Sequence, residues 1–215
     1  MITHALLILQ NELDEHLKVY DQGSEPDRVV IANMAEGVKS GNANGTVDSE
    51  KLVFTIVNIR EEKALKNLPN YVRNDVTMKA SYENPPVFLN FLLLLSATHG
   101  LYTNATLYIS RAIRFFQYKN VFTQDTVSPD SLNIQKHSMT TMDQLESFKL
   151  ILDLYSPSLE EVNHLWGTLG GKQYPFVLYM LRMIDLKFKG PGKETGLITE
   201  VVSEFYHKKS DNGHG

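Results

Sequence analysis

The chain has 215 residues, of which 42% are hydrophobic and 21% charged, and its formal net charge is −4. This length suits one domain with arms better than two domains, and it can form a core without disulfides or a structural metal. The absence of cysteine excludes disulfide scaffolds, thiolate zinc sites and cysteine nucleophiles. The slight negative charge provides no basic field for nucleic acid.

Neither a membrane span nor an export signal is predicted. The densest apolar stretch, Phe91 to Leu95, is far shorter than the ~20 residues that a spanning helix needs. The opening sequence, MITHALLILQNELDEH, lacks a basic region and becomes acidic where a signal-peptide cleavage site would lie. We therefore expect an intracellular protein with no membrane partner.

The first half of the chain is predicted to form one helix followed by strands. Apolar residues recur at three- and four-residue steps from Ile2 to Tyr20, which is typical of one face of a helix. Runs rich in Val, Ile and Leu predict the strands, and the run at 51–62 is apolar enough to be covered on both faces. The predicted strands are 28–34, 51–62, 75–82 as an edge strand, and 87–96, for which a helix is the competing interpretation; 36–50 and 63–72 are predicted loops.

The second half is predicted to alternate helices and strands. Tyr102 to Tyr118 has helical periodicity, and its predicted buried stripe is Ala105, Ile109, Ala112, Ile113 and Phe116. Phe115 lies about 100° away from Phe116 on the helix, so we assign it a contact role. The other predictions are loops with a short strand at 121–142, strands at 145–155 and 176–187, a helix that starts at a Ser158–Glu161 capping box and ends at Gly170, and either helix or extended chain at 197–206.

This order of elements predicts an α+β fold, with a mainly antiparallel sheet and helices packed on one face. We expect one domain over residues 1–189. Gly190-Pro191-Gly192 then breaks the chain, so residues 190–215 are predicted to form an arm and a disordered tail.

Recognisable catalytic and cofactor-binding motifs are missing. The sequence GTLGGK at 167–172 fails the phosphate-loop pattern, because Trp166 stands where a glycine is required and Gln173 where Ser or Thr is required. The segment 190–196 is one residue too long for a dinucleotide fingerprint, and we interpret it as a linker. The histidines form neither an H-E-x-x-H nor an H-x3-H pair, and a G-x-S-x-G elbow is absent. The sequence therefore predicts a protein that is not an enzyme and uses neither cofactor nor metal.

Several stretches, in the same order along nearly the whole chain, resemble one known family. They are MITHALLILQNEL at the start, NPPVFLN at 84–90, FFQYKNVF at 115–122 and SLEEVNHLWGTLGGKQYPFVLYMLRM at 158–183. The chain resembles the cap, or tail-terminator, proteins of extracellular contractile injection systems, the phage-tail-like particles of the antifeeding-prophage and virulence-cassette types. Phe176 and Met180 depart from the pattern. The family-signature or interface candidates are Pro85, Pro86, Asn163, His164, Trp166, Tyr174 and Pro175.

The resemblance implies a structural role. Such caps are expected to be α+β subunits that close into a hexameric ring on the last layer of inner tube and sheath, distal to the baseplate. The ring would end tube growth and hold the sheath extended, so the implied partners are the chain itself, the inner tube protein and the sheath protein. The resemblance implies no catalytic residue. It implies assembly in the bacterial cytoplasm, as part of a contractile particle that is released or anchored.

A closed ring requires two different complementary patches on each subunit. The polar segments 36–50, 121–142 and 190–210 are candidates for contacts, and an extended arm can add as a strand to a sheath sheet edge. The alternatives are a cap adaptor or another tube-associated ring protein, a small-molecule enzyme with a pocket near Arg182 and Asp185, and a stand-alone binding module.

Overall fold

A computed structural model describes residues 1–21, 27–39, 45–63, 71–74, 79–82, 87–133, 139–145, 147–186 and 193–196. The chain divides into two units, one formed by 1–66 with 86–187 and the other by 67–85 with 188–215. The helices of the described residues are α1 (Ile2–Asp21), α2 (Tyr102–Tyr118) and α3 (Leu159–Thr168); the strands are β1 (Val29–Ile31), β2 (Leu52–Glu61), β3 (Tyr71–Asn74), β4 (Lys79–Tyr82), β5 (Val87–Ala97), β6 (Val121–Thr123), β7 (Lys149–Tyr155), β8 (Phe176–Leu186) and β9 (Lys193–Gly196).

The first unit contains a six-stranded sheet in the order β1-β2-β5-β8-β7-β6. β1 runs parallel to β2, and every other neighbouring pair is antiparallel. The predicted α+β fold with a mainly antiparallel sheet is thus confirmed. The apolar stretch of β5 forms a strand rather than a helix, because pairing with β2 and β8 satisfies its backbone on both sides.

Two apolar cores lie on opposite faces of this sheet. The larger contains side chains of α1 and α2 packed against Phe54, Leu93 and Tyr179. The smaller contains α3 packed against alternate positions of the same strands, such as Leu94 and Leu178. The predicted single helical face therefore holds for α1 and α2 only, because α3 covers the other face.

Four further predictions need correction. In the second unit β4 lies between β3 and β9, so it is not an edge strand, and part of the predicted loop at 63–72 belongs to β3. Residues 193–196, interpreted as linker, form β9 and pair with β4. Burial on both faces of β2 holds only for its first half, since Ile59 is 49% exposed. The predicted arm beyond 196 lies outside the described residues.

The outer edge of β1 is covered by α1. The Asp14 carboxylate accepts a hydrogen bond from the Val29 N–H at 3.1 Å, and the Gln10 amide donates to the Val29 carbonyl at 2.8 Å. These bonds occupy backbone groups that another strand would otherwise use. The first helix therefore closes this part of the sheet edge.

A buried carboxylate joins α1 to the loop after β6. Glu12 is 7% exposed and forms an ion pair with Lys119 at 2.6 Å. The same carboxylate accepts hydrogen bonds from the Ser128 N–H at 2.6 Å and the Ser131 hydroxyl at 2.9 Å. Because a buried charge needs such partners, Glu12 fixes this loop on the helix.

His4 joins α1 to the segment before β7. Its Nδ1 accepts a hydrogen bond from the Leu145 N–H at 2.9 Å, which requires an unprotonated Nδ1. Burial, and to a smaller degree the nearby N-terminal charge, lowers the pKa of His4. The histidine is therefore neutral in the folded protein at neutral pH.

Candidate functional site

The segment that begins at α3 and ends at the start of β8 contains most of the predicted signature residues. Its helix starts with the predicted capping box. The Ser158 hydroxyl accepts a hydrogen bond from the Glu161 N–H at 3.2 Å, and the Glu161 carboxylate accepts one from the Ser158 N–H at 2.8 Å. The Tyr155 hydroxyl donates to the same carboxylate at 3.0 Å. The backbone bond from Ser158, followed by the bond from Tyr155, lowers the pKa of Glu161.

The glycines after α3 form a helix C-terminal motif. Gly170 and Gly171 have φ angles of 95° and 79°, and the Gly171 N–H donates to the Trp166 carbonyl at 2.7 Å. This is the 6→1 bond of a Schellman motif. The motif confirms the predicted helix end and explains the glycine pair without a bound phosphate.

Trp166 anchors the smaller core. It is 4% exposed and packs against Phe176, with ring centres 5.4 Å apart, and against Tyr174 at 6.1 Å. Its indole N–H is buried without a hydrogen-bond partner in the described part of the chain. Trp166, one of the signature or interface candidates, is therefore a core residue in this structure.

The two residues before β8 connect this segment to the sheet. Lys172 Nζ lies 5.0 Å from the centre of the Tyr174 ring, and the Pro175 carbonyl accepts a hydrogen bond from the Ala97 N–H at 2.9 Å. Tyr174 and Pro175 are both half-buried. They position the last turn before β8, and they line one side of a groove.

This groove has a volume of about 610 Å³ and separates the first turns of α2 from the chain that enters β8. Its lining contains hydroxyls and one amide but neither a carboxylate nor a histidine, so it offers no usual general acid–base pair. The lining residues are Tyr102, Thr106, Ile109, Ser110 and Gln173 to Phe176.

Of the other four signature residues, two are exposed on α3 and two lie outside the described residues. Asn163 and His164 are exposed on the outer side of α3, where they are available for contacts. Pro85 and Pro86 lie outside the described residues. The structure thus brings Trp166, Tyr174 and Pro175 together as packing residues and leaves Asn163 and His164 on the surface.

The exposed apolar side chains of α2 were not predicted from the sequence. Leu107 is 47% exposed and Tyr118 86% exposed, whereas Phe115, assigned a contact role, is only 6% exposed. The ring of Phe115 packs against His16 of α1, 4.8 Å away. Ile113, predicted to be buried, is 37% exposed. The buried stripe of α2 is therefore shifted toward α1, a shift that helical spacing by itself does not reveal.

The alternative of an enzyme pocket near Arg182 and Asp185 receives no support. The Arg182 guanidinium forms an ion pair with Asp153 at 2.8 Å on the open surface of β7 and β8. The Asp185 side chain lies outside the described part of the structure. Among the described residues, no group of three or more histidine or carboxylate side chains could hold a metal ion. None of the described helices is long and apolar enough to cross a membrane.

Comparison with known protein families matches residues 5–200 to the Pvc16 N-terminal domain, which is most of the chain. The chain belongs to the Pvc16 N-terminal domain family. This match, together with a shared fold, confirms the resemblance to cap and terminator proteins of contractile injection systems that the sequence indicated. No curated protein sequence matches this member of the family.

The fold of this Pvc16 N-terminal domain protein is similar to that of a solved cap. The anti-feeding prophage cap, described as the AFP tube terminating cap, matches with a TM-score of 0.54 and 11% identity over 91% of this chain and 59% of the cap. The PVC sheath/tube terminator in its extended state matches with a TM-score of 0.49 and 10% identity, over 94% of this chain and 64% of the terminator. The chain thus spans about three fifths of the length of each.

Proposed function

We propose that this chain is a cap subunit that terminates the inner tube and sheath of a contractile injection particle. Six copies form a ring at the end distal to the baseplate, where the ring stops tube growth and anchors the extended sheath. The family match over residues 5–200 carries this proposal, and the fold shared with the AFP tube terminating cap supports it.

The described surface supports a structural rather than an enzymatic role. The groove beside α2 has no acid–base pair, and the signature residues pack the α3–β8 segment instead of converging on a substrate site. Exposed apolar side chains occur on α2 and at the start of α3, on opposite faces of the sheet. A subunit of a closed ring needs two different contact surfaces of this kind.

Electron microscopy of particles assembled without this chain tests the proposal. We expect tubes of variable, excessive length with sheaths that are absent, incomplete or contracted, and a return to uniform length when the wild-type chain is supplied. Uniform tubes and extended sheaths in the absence of the chain would overturn the terminator function. Uniform tubes that lack only an additional component above the cap would instead indicate the adaptor role.

A second experiment separates the tube and sheath partners. Tubes assembled without sheath protein are sedimented together with the purified chain. Retention on these bare tubes, with one ring per tube end, is expected if the inner tube supplies a binding surface. Retention only when the sheath is present would assign the chain to the sheath alone.

A further inference from the structure

The segment 139–145 lies on the start of α1 and buries little of its own surface. Apart from Leu145, which is 5% exposed, its residues are exposed or half-buried. The Asp143 carbonyl accepts a hydrogen bond from the Met1 amino group, and the Leu145 N–H donates to His4 Nδ1 at 2.9 Å. Because so little apolar surface holds this segment, it opens at a lower free energy than the sheet beside it.

The acceptor of the Leu145 bond is an imidazole nitrogen inside the larger core. His4 is 1% exposed, and its ring meets that of Phe148 edge-on, with centres 6.4 Å apart. Nδ1 accepts a hydrogen bond only while it carries no proton. Nε2 is also buried, without a hydrogen-bond partner in the described ranges. Protonation at Nδ1 would therefore place two donors against each other and bury a charge, and both effects destabilise the closed segment.

The groups packed around His4 do not compensate this charge. Burial lowers the pKa of His4, and the positive Met1 amino group on the same helix lowers it further. On the segment, the Asp143 carboxylate acts on that amino group and accepts hydrogen bonds from the Thr140 N–H and hydroxyl at 3.0 and 2.8 Å. On the side that leads into β7, the neighbour is the uncharged ring of Phe148. The imidazolium is therefore stabilised only when the segment opens to water.

We propose that His4 and the segment 139–145 form an acid-sensitive switch, in which protonation of the imidazole releases the segment from α1 while the six-stranded sheet stays folded. At neutral pH the unprotonated imidazole holds the Leu145 N–H. In acid the open form is favoured, because water solvates the imidazolium. Release uncovers the first turn of α1, which this segment contacts. The proposal does not depend on the cap function.

Proton linkage gives the size of the effect. The closed form binds fewer protons than the open form, so its stability is complete at neutral pH and decreases as the pH falls. An exposed histidine has a pKa of about 6.5, and that of His4 in the closed form is lower. The ratio of open to closed segment should therefore rise by about threefold to tenfold between about pH 7.5 and 5.5.

Amide hydrogen exchange on the full chain tests the switch, because it reports opening at single residues. After correction for the intrinsic exchange rate, the Leu145 amide should lose protection by about threefold to tenfold between about pH 7.5 and 5.5. Low concentrations of urea should hardly change its exchange, because a local opening exposes little surface. The Leu93 amide, on a central strand of the sheet, should be better protected and should respond steeply to urea.

Two histidine variants of α1 separate this switch from other titrations. His4→Asn keeps an acceptor for the Leu145 N–H but has no titratable ring, so most of the pH dependence at Leu145 should disappear. His16→Asn is the matched control. His16 is half-buried against Phe115 and lies about 18 Å further along the helix axis than His4, so this variant should keep the pH dependence at Leu145.

Three results would overturn the switch. The first is unchanged protection of the wild-type Leu145 amide over this pH range. The second is a Leu145 amide with the same protection and urea dependence as the Leu93 amide, since the segment would then open only when the whole chain unfolds. The third is a full pH dependence in folded His4→Asn, which would assign the titration to another group. The first two are measured on the wild-type chain, so they decide the question even if His4→Asn fails to fold.

Discussion

Replacing the buried Glu12 by glutamine tests whether one carboxylate fixes the loop after β6 on the first helix. Glutamine keeps the shape of the side chain and one acceptor oxygen for the Ser128 N–H and the Ser131 hydroxyl. Its amide NH₂ then faces the Lys119 ammonium, which lies 2.6 Å from a carboxylate oxygen in the wild type. The change therefore removes a charge-assisted bond and places two donors against each other.

We expect a loss of about 3 kcal/mol in the free energy of unfolding, the range measured when one partner of a buried pair is removed. Glu15→Gln is the matched control on the same helix, because Glu15 is exposed and its bond to the Ser128 hydroxyl is 3.2 Å long. It should cost less than about 0.5 kcal/mol. Urea unfolding at neutral pH, followed by far-UV circular dichroism, measures both variants.

With a urea slope of roughly 2 kcal/mol/M, the midpoint for Glu12→Gln should fall by about 1.5 M. A midpoint within about 0.25 M of the Glu15→Gln value would refute the reasoning. Combining Glu12→Gln with Lys119→Met should cost less than the sum of the single changes by about 1 kcal/mol, because both remove the same interaction.

Three further predictions concern pH and the ends of α3. Burial lowers the pKa of His4 below its value in the unfolded chain. The folded form therefore binds fewer protons, and the free energy of unfolding falls as the pH drops below about 6.5. The variant His4→Asn keeps an acceptor for the Leu145 N–H, and it should weaken this pH dependence in thermal melts between about pH 7.5 and 5.5. Ser158→Ala should cost about 1 kcal/mol in urea unfolding through loss of the cap. Gly170→Ala should lower the free energy of unfolding by about 1 kcal/mol because φ is 95°. Gly167→Ala lies inside the helix with open space around it, so it should stabilise the folded protein. Equal effects at the two glycines would contradict this explanation.

Local pattern was sufficient for the features that depend on local physics. Helical spacing, alternation and turn chemistry act between residues near in sequence, and they predict α1, α2, α3, the capping box at Ser158, the glycine end of α3, β7 and β8. The sequence left β5 open between strand and helix, and its pairing with β2 and β8 decided it. The absence of recognisable catalytic motifs and the family resemblance were also readable from the sequence. The family was then confirmed by the match over residues 5–200.

Tertiary structure decided what covers each surface. Spacing places Phe115 and Ile113 on α2, but only the approach of α1, with His16 against Phe115, determines which of them is buried. In the same way β9 becomes a strand because it pairs with β4. The partners of Glu12 are more than 100 positions away in the sequence. Interactions between distant segments have no period in the sequence, so the position of α3 on the second face of the sheet, and with it the pair of opposed exposed faces, could be found only in the folded chain.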